Sequence, residues 1–96
     1  MKVRGFEVVK GYEDKDIHLP VRKTEHSAGY DVEAAEDVVI PPFKLGGKPT
    51  LIPTGLKAYC LDDEFYMLVN RSSGPKKGLV MCNSIGIVDS DYYGNI

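Results

Sequence analysis

At 96 residues and 10.6 kDa the chain makes one domain at most, and small-domain scaling allows it to bury only about 65% of its unfolded surface. Hydrophobic residues at 43% and charged residues at 27% exclude a disordered chain, while a net charge of −2 speaks against non-specific nucleic-acid binding. There is no apolar run of about 18 residues to span a membrane, and Met1 to Lys10 lacks the apolar stretch of a signal peptide.

Strand signals lead from the start. In Arg4 to Val9, Phe6 and Val8 share one face of a loosely alternating run. Tyr30-Asp31-Val32 and Val38-Val39-Ile40 are short β-rich stretches, the second closed by Pro41-Pro42. Gly46-Gly47-Lys48-Pro49 marks a turn, and Leu56 to Cys60 alternates again. Asp62-Asp63-Glu64 breaks the pattern before Phe65 to Val69, an apolar run that predicts a strand buried on both sides. Leu79 to Cys82 and Ile85 to Val88 follow, with Asn83-Ser84 as a hairpin corner between them. No window of 11 to 18 residues holds a helical period, so the expectation is an all-β sandwich or barrel in one domain, residues 1–96. The chain stops at Gly94-Asn95-Ile96 without a cap or polar tail, which predicts a chain cut while entering a strand.

The remaining singletons carry little chemistry. Cys60 and Cys82 form no metal-binding pair and read as small hydrophobes in strands of a reduced, cytoplasmic protein. His18 and His26 read as surface or satisfied histidines.

Three clusters are candidates for a site. Ala28-Gly29-Tyr30-Asp31 places a carboxylate at a strand edge, where it otherwise serves a local backbone donor. Arg71-Ser72-Ser73-Gly74-Pro75-Lys76-Lys77-Gly78 suits an anion: a guanidinium fork, hydroxyls and amides freed by glycine. Its spacing is not that of a Walker A loop, and a solvated polar loop is the alternative. In Gly86 to Gly94, Asp89 and Asp91 fall on one face of an extended chain, roughly 7 Å apart. Two such carboxylates can share a cation, or one can act as a base. The alternative there is an acidic turn, although Asp89 follows three apolar residues and so sits at the mouth of a buried strand.

Taken in order, the three clusters resemble the first three of five motifs of the trimeric dUTP pyrophosphatase (dUTPase) family. Ala28 to Val32 looks like motif one, Arg71-Ser72-Ser73-Gly74 like motif two, and Asn83 through Gly94 like motif three. Many members read Pro-Arg-Ser-Gly in motif two, where this chain has Asn70 before Arg71 and a second serine. Motifs four and five would lie beyond residue 96; in the family they supply an aromatic lid over the base and a Gly-rich arm over the phosphates.

The resemblance implies a distorted jelly-roll-like β-barrel of the dUTPase type, truncated at the C-terminus, that hydrolyses dUTP to dUMP and pyrophosphate. By the same likeness Asp89 is the catalytic base for water attack on the α-phosphorus. Arg71, Ser72 and Ser73 hold the triphosphate. Asn83 and the backbone of Ile87, Val88 and Asp89 read the uracil edge, and Tyr92 stacks on the deoxyribose and leaves no room for a 2′-hydroxyl. Asp31 holds a phosphate-bound Mg²⁺ through water. Partners are the substrate and two further copies, in a homotrimer with shared sites. Two other readings stand beside it: a catalytically incomplete nucleotide-binding or regulatory module, and a dCTP deaminase, whose Arg-Ser-Ser segment is shared.

Overall fold

The computed structural model describes residues 2–96. Its elements are β1 (Gly5–Val8), β2 (Leu56–Tyr59), β3 (Tyr66–Leu68), α1 (Ser73–Lys76) and β4 (Gly86–Val88). They make two two-stranded antiparallel sheets, β1 with β2 and β3 with β4, plus an isolated bridge between Val21 and Asp31.

Alternation explains the first sheet. Phe6 lies opposite Ala58 and Val8 opposite Leu56, so these four side chains share the inner face. Leu56 and Ala58 are 1% and 2% exposed, and with Val88 of β4 they are the buried apolar core among the described residues. Glu7 and Lys57 pair on the outer face. The sheet is prolonged by the Val9 amide donating to the Gly55 carbonyl at 2.8 Å. Gly55 has φ +71° and is buried; a Cβ there would come within 2.9 Å of Ile17 and 3.0 Å of Tyr12. Only glycine meets both demands.

Tyr66 joins the two sheets. Its hydroxyl donates to the Tyr59 carbonyl at 3.1 Å, and its ring lies 5.2 Å from that of Phe6, which also meets Tyr30 at 6.2 Å. Burial without full hydration raises the Tyr66 phenol above its ordinary pKa, with the nearby Cys60 adding to the effect.

Several expectations need correction. The Phe65 to Val69 run is not buried on both sides: Tyr66 and Leu68 face inward, whereas Phe65, Met67 and Val69 are exposed. Leu79 to Cys82 is not a strand. The Asn83-Ser84 corner exists, with Ser84 at φ +67° and its amide donating to the Met81 carbonyl, but β4 pairs with β3 instead of with the residues before the corner. Val38 to Ile40 is unpaired, and of Tyr30 to Val32 only Asp31 makes a ladder contact. Both cysteines are free and outside strands, Cys60 just after β2 and Cys82 exposed.

Candidate active site

The strand β3 delivers the anion-binding segment. Beyond Leu68 the chain runs through Asn70 to Arg71, whose carbonyl accepts the Gly74 amide at 3.2 Å as the single turn of α1 begins. This helix is a departure from the loop that the sequence implied. Pro75 is tolerated because the amides of a first turn have no helical partner to lose. Gly78, at φ +85°, ends the turn. Ser72 stands at the N-cap yet makes no capping hydrogen bond, so its hydroxyl is not committed to the backbone. Ser72, Ser73, Lys76 and Lys77 are all exposed around Arg71.

Asp31 comes to this segment from across the fold. Its amide donates to the Val21 carbonyl at 3.1 Å, which fixes the backbone. Its carboxylate oxygen Oδ2 is buried without a hydrogen bond and lies 3.6 Å from Arg71 Nη1. That is an ion pair beyond hydrogen-bond range, with an acceptor left to satisfy. The residues of the first and second clusters are thus together.

Of the third cluster, Val88 lines a hollow of about 220 Å³ together with Ala28, Gly29 and Tyr30 of the first, whereas Asp89 and Asp91 lie elsewhere. The register of β3 and β4 sets Leu68 opposite Gly86 and Tyr66 opposite Val88. Arg71 therefore leaves at one end of this ladder, near Asn83, and Asp89 at the other, opposite Phe65. Asp89 and Asp91 do not lie along an extended chain. The Tyr92 amide donates to the Asp89 carbonyl at 3.1 Å and closes a turn, because Ser90 is drawn aside to donate its hydroxyl to the Asp62 carbonyl. An open hollow of about 550 Å³ is lined there by Asp62, Asp63, Glu64, Phe65, Ile87, Asp89, Ser90 and Asp91. Its five carboxylates would repel an unaccompanied polyphosphate. Ile87 is exposed on the hollow's side of β4 and Val88 is buried on the other.

Tyr92 turns back on its own chain. Its hydroxyl donates to the Asn95 carbonyl at 2.7 Å and its ring lies over Gly94, where a Cβ would stand 2.7 Å from the hydroxyl oxygen. Gly94 is therefore the residue that lets the ring lie flat.

Sequence reasoning missed the acidic turn beside Asp89. Arg4 grips Glu64 through both Nε and Nη2, at 3.0 and 2.7 Å, and the Glu64 carboxylate accepts the Leu61 amide at 3.0 Å. The Arg4 hydrogen bond, then that amide, hold the Glu64 carboxyl below its ordinary pKa. The run Asp62-Asp63-Glu64 read only as a break between strands. His18 also has neighbours that the sequence reading passed over: Asp16, two residues before it, at 3.5 Å, and Glu33, next to the first cluster, at 3.3 Å, all exposed.

Among the described residues no group of three or more His, Cys, Asp or Glu is placed to hold a metal ion, so a protein-only cage is not on offer. Asp31 Oδ2, a buried carboxylate oxygen without a hydrogen bond, is the one candidate contact in this segment for a cation whose other ligands come from outside the chain. No helix among them is long and apolar enough to cross a membrane.

The structure is a short-stranded, mostly β fold that carries an arginine-serine segment and a strand-end aspartate, and comparison with known proteins places it in a family. A sequence model of the dUTPase family matches residues 15–96. The chain is 56% identical over 96 residues to the deoxyuridine 5′-triphosphate nucleotidohydrolase of Lactococcus lactis subsp. lactis, covering 99% of this chain and 61% of that protein. It is 42% identical over 86 residues to the same enzyme of Psychrobacter cryohalolentis, covering 88% of this chain and 54% of that protein. The crystal structure of dUTPase from Streptococcus mutans superposes with a TM-score of 0.82 at 43% identity, over 96% of this chain and 73% of that one. The chain belongs to the dUTPase family and has its jelly-roll type of all-β fold. It spans between half and two thirds of the length of these two curated relatives.

Proposed function

We propose that the protein hydrolyses dUTP to dUMP and pyrophosphate, at sites built by more than one copy of the chain. The observation that carries this reading is the ladder register: Arg71 and Asp89 leave β3 and β4 at opposite ends. At the usual strand rise, the three residue steps from Gly86 to Asp89 alone span about 10 Å. Within one copy the anion holder and the base thus face different regions. A neighbour's Arg71 segment set against the Asp89 hollow would bring cations to carboxylates and close a site between copies, which supports a homotrimer with shared sites.

In such a site Asp89 accepts a proton from water as the water oxygen attacks the α-phosphorus. The bond from that phosphorus to the bridging oxygen breaks, and pyrophosphate leaves with the electron pair. Arg71, Ser72 and Ser73 donate to the phosphate oxygens as negative charge builds on the leaving group. Asp31 would hold Mg²⁺ through water; Mg²⁺, when bound, screens the phosphate charge. Asn83 and the backbone of Ile87, Val88 and Asp89 read the uracil edge. Tyr92, already held flat over Gly94, stacks on the deoxyribose and excludes a 2′-hydroxyl.

The alternative reading is a nucleotide-binding or regulatory module without turnover. Pyrophosphate release separates the two readings. With Mg²⁺ present, release from dUTP but not from UTP, dTTP or dCTP supports hydrolysis. Binding of dUTP without release supports the module, and ammonia from dCTP would overturn both.

A further inference from the structure

Tyr92 and Tyr93 are adjacent but turn to different parts of the fold. Tyr92 lies on Gly94 and Asn95, as described above. Tyr93 instead reaches the outer face of the first sheet, where its hydroxyl donates to the Glu7 carboxylate. The Lys57 ammonium sits 4.0 Å from the centre of its ring, within cation–π range.

Glu7 and Lys57 are direct cross-strand partners, one on β1 and one on β2. Opposite charges so placed ordinarily pair with each other. Among the ion pairs of the described residues this one is missing, and both groups engage Tyr93 instead. The tyrosine is therefore seated between two strands, held through its hydroxyl by one and through its ring by the other. Its backbone directly follows the Asp89–Tyr92 turn, whose near end is tied by Ser90 to Asp62.

We propose that Glu7, Lys57 and Tyr93 form a clamp that fixes the orientation of the Asp89–Tyr92 turn, making Tyr93 a positioning residue for the reaction proposed above. The inference deepens that reading and rests on it for its catalytic consequence. None of the three residues touches substrate in this account; they act through Asp89 and Tyr92. Small displacements of a base are costly because attack geometry is narrow, so a weak exposed clamp can still govern rate.

The test compares Tyr93→Leu and Tyr93→Phe on the full chain, by amide hydrogen exchange and by turnover of dUTP. In Tyr93→Leu the Tyr92 amide, which closes the turn on the Asp89 carbonyl, should exchange about tenfold faster, while the amides of β1 and β2 keep the wild-type rate. Its kcat should fall about tenfold without a matching loss of thermal stability. Tyr93→Phe keeps the ring under Lys57 and should recover most of both effects; combined with Glu7→Gln it should lose no more than either change alone. Unchanged exchange of the Tyr92 amide in Tyr93→Leu would overturn the clamp, as would faster exchange spread evenly over the whole chain. If the wild-type chain releases no pyrophosphate from dUTP, the catalytic reading falls on that result, and the exchange data still decide whether the clamp exists.

Discussion

Arg71 and Asp89 leave the β3–β4 ladder at opposite ends, Arg71 beyond the Leu68–Gly86 pair and Asp89 beyond the Tyr66–Val88 pair. Arg71 is turned to Asp31, at 3.6 Å, and Asp89 borders a hollow lined by four further carboxylates. A basic segment and an acidic hollow displaced along one molecule are complementary in charge, which is the basis of the shared site proposed above; a head-to-tail contact between copies closes into a ring only where its rotation permits.

Replacing Asp89 with Asn keeps the shape of the turn but removes the proton acceptor. Turnover of dUTP should fall by about 10²- to 10⁴-fold. Affinity for a non-hydrolysable dUTP analogue, measured by calorimetry, should stay close to wild type. A large loss of binding would instead give Asp89 a role in holding substrate.

Tyr92 depends on Gly94 for its position. Gly94→Ala puts a methyl group 2.7 Å from the Tyr92 hydroxyl oxygen, so the ring must move. Both Gly94→Ala and Tyr92→Ala should raise the activity on UTP relative to dUTP. If the UTP to dUTP ratio stays put in both variants, sugar selection does not reside in this ring.

Core and surface apolar residues should separate cleanly in stability. Leu56→Ala removes a side chain that is 1% exposed and should cost about 2–5 kcal/mol in denaturant unfolding. Met67→Ala, on the exposed face of β3, should change stability by less than about 0.5 kcal/mol. Equal losses would mean that Met67 is covered in solution by another copy.

The Arg4–Glu64 pair should leave a signature in acid. Its carboxyl is held below the ordinary value, so the folded state binds that proton less readily than the unfolded chain. The contribution is complete above the unfolded glutamate pKa of about 4.3 and is lost as pH falls through the lower folded value. Because the Arg4 side chain is 54% exposed and that of Glu64 31%, salt should weaken it. Glu64→Gln should flatten this part of the stability profile, and an unchanged acid limb would remove the pair from the account.

Local patterning made much of this fold legible. Alternation in Phe6-Glu7-Val8 and Leu56 to Tyr59 marked both strands of the first sheet, since one face of each is buried. The same reasoning misjudged Phe65 to Val69: a continuous apolar run does not reveal which of its faces the molecule covers. Helix α1 was hidden because four residues, with Gly74 and Pro75 among them, are too few to show a period. The motif residues could be picked out, but not their grouping. That Asp31 meets Arg71 while Asp89 does not depends on pairings far apart in sequence, Val21 with Asp31 and Tyr66 with Val88. Glu7, Lys57 and Tyr93 carried no signal as a group, because they lie in three segments far apart in sequence.

The most direct measurement mixes two inactive variants. Asp89→Asn and Arg71→Ala chains are each assayed for pyrophosphate release from dUTP with Mg²⁺, then co-refolded in equal amounts and assayed again. If the site joins Arg71 of one copy to Asp89 of the next, about one site in four regains both native residues, and activity returns to about a quarter of wild type. A mixture no more active than the sum of its two parents would mean that both residues serve the reaction from a single copy, and would contradict the shared site.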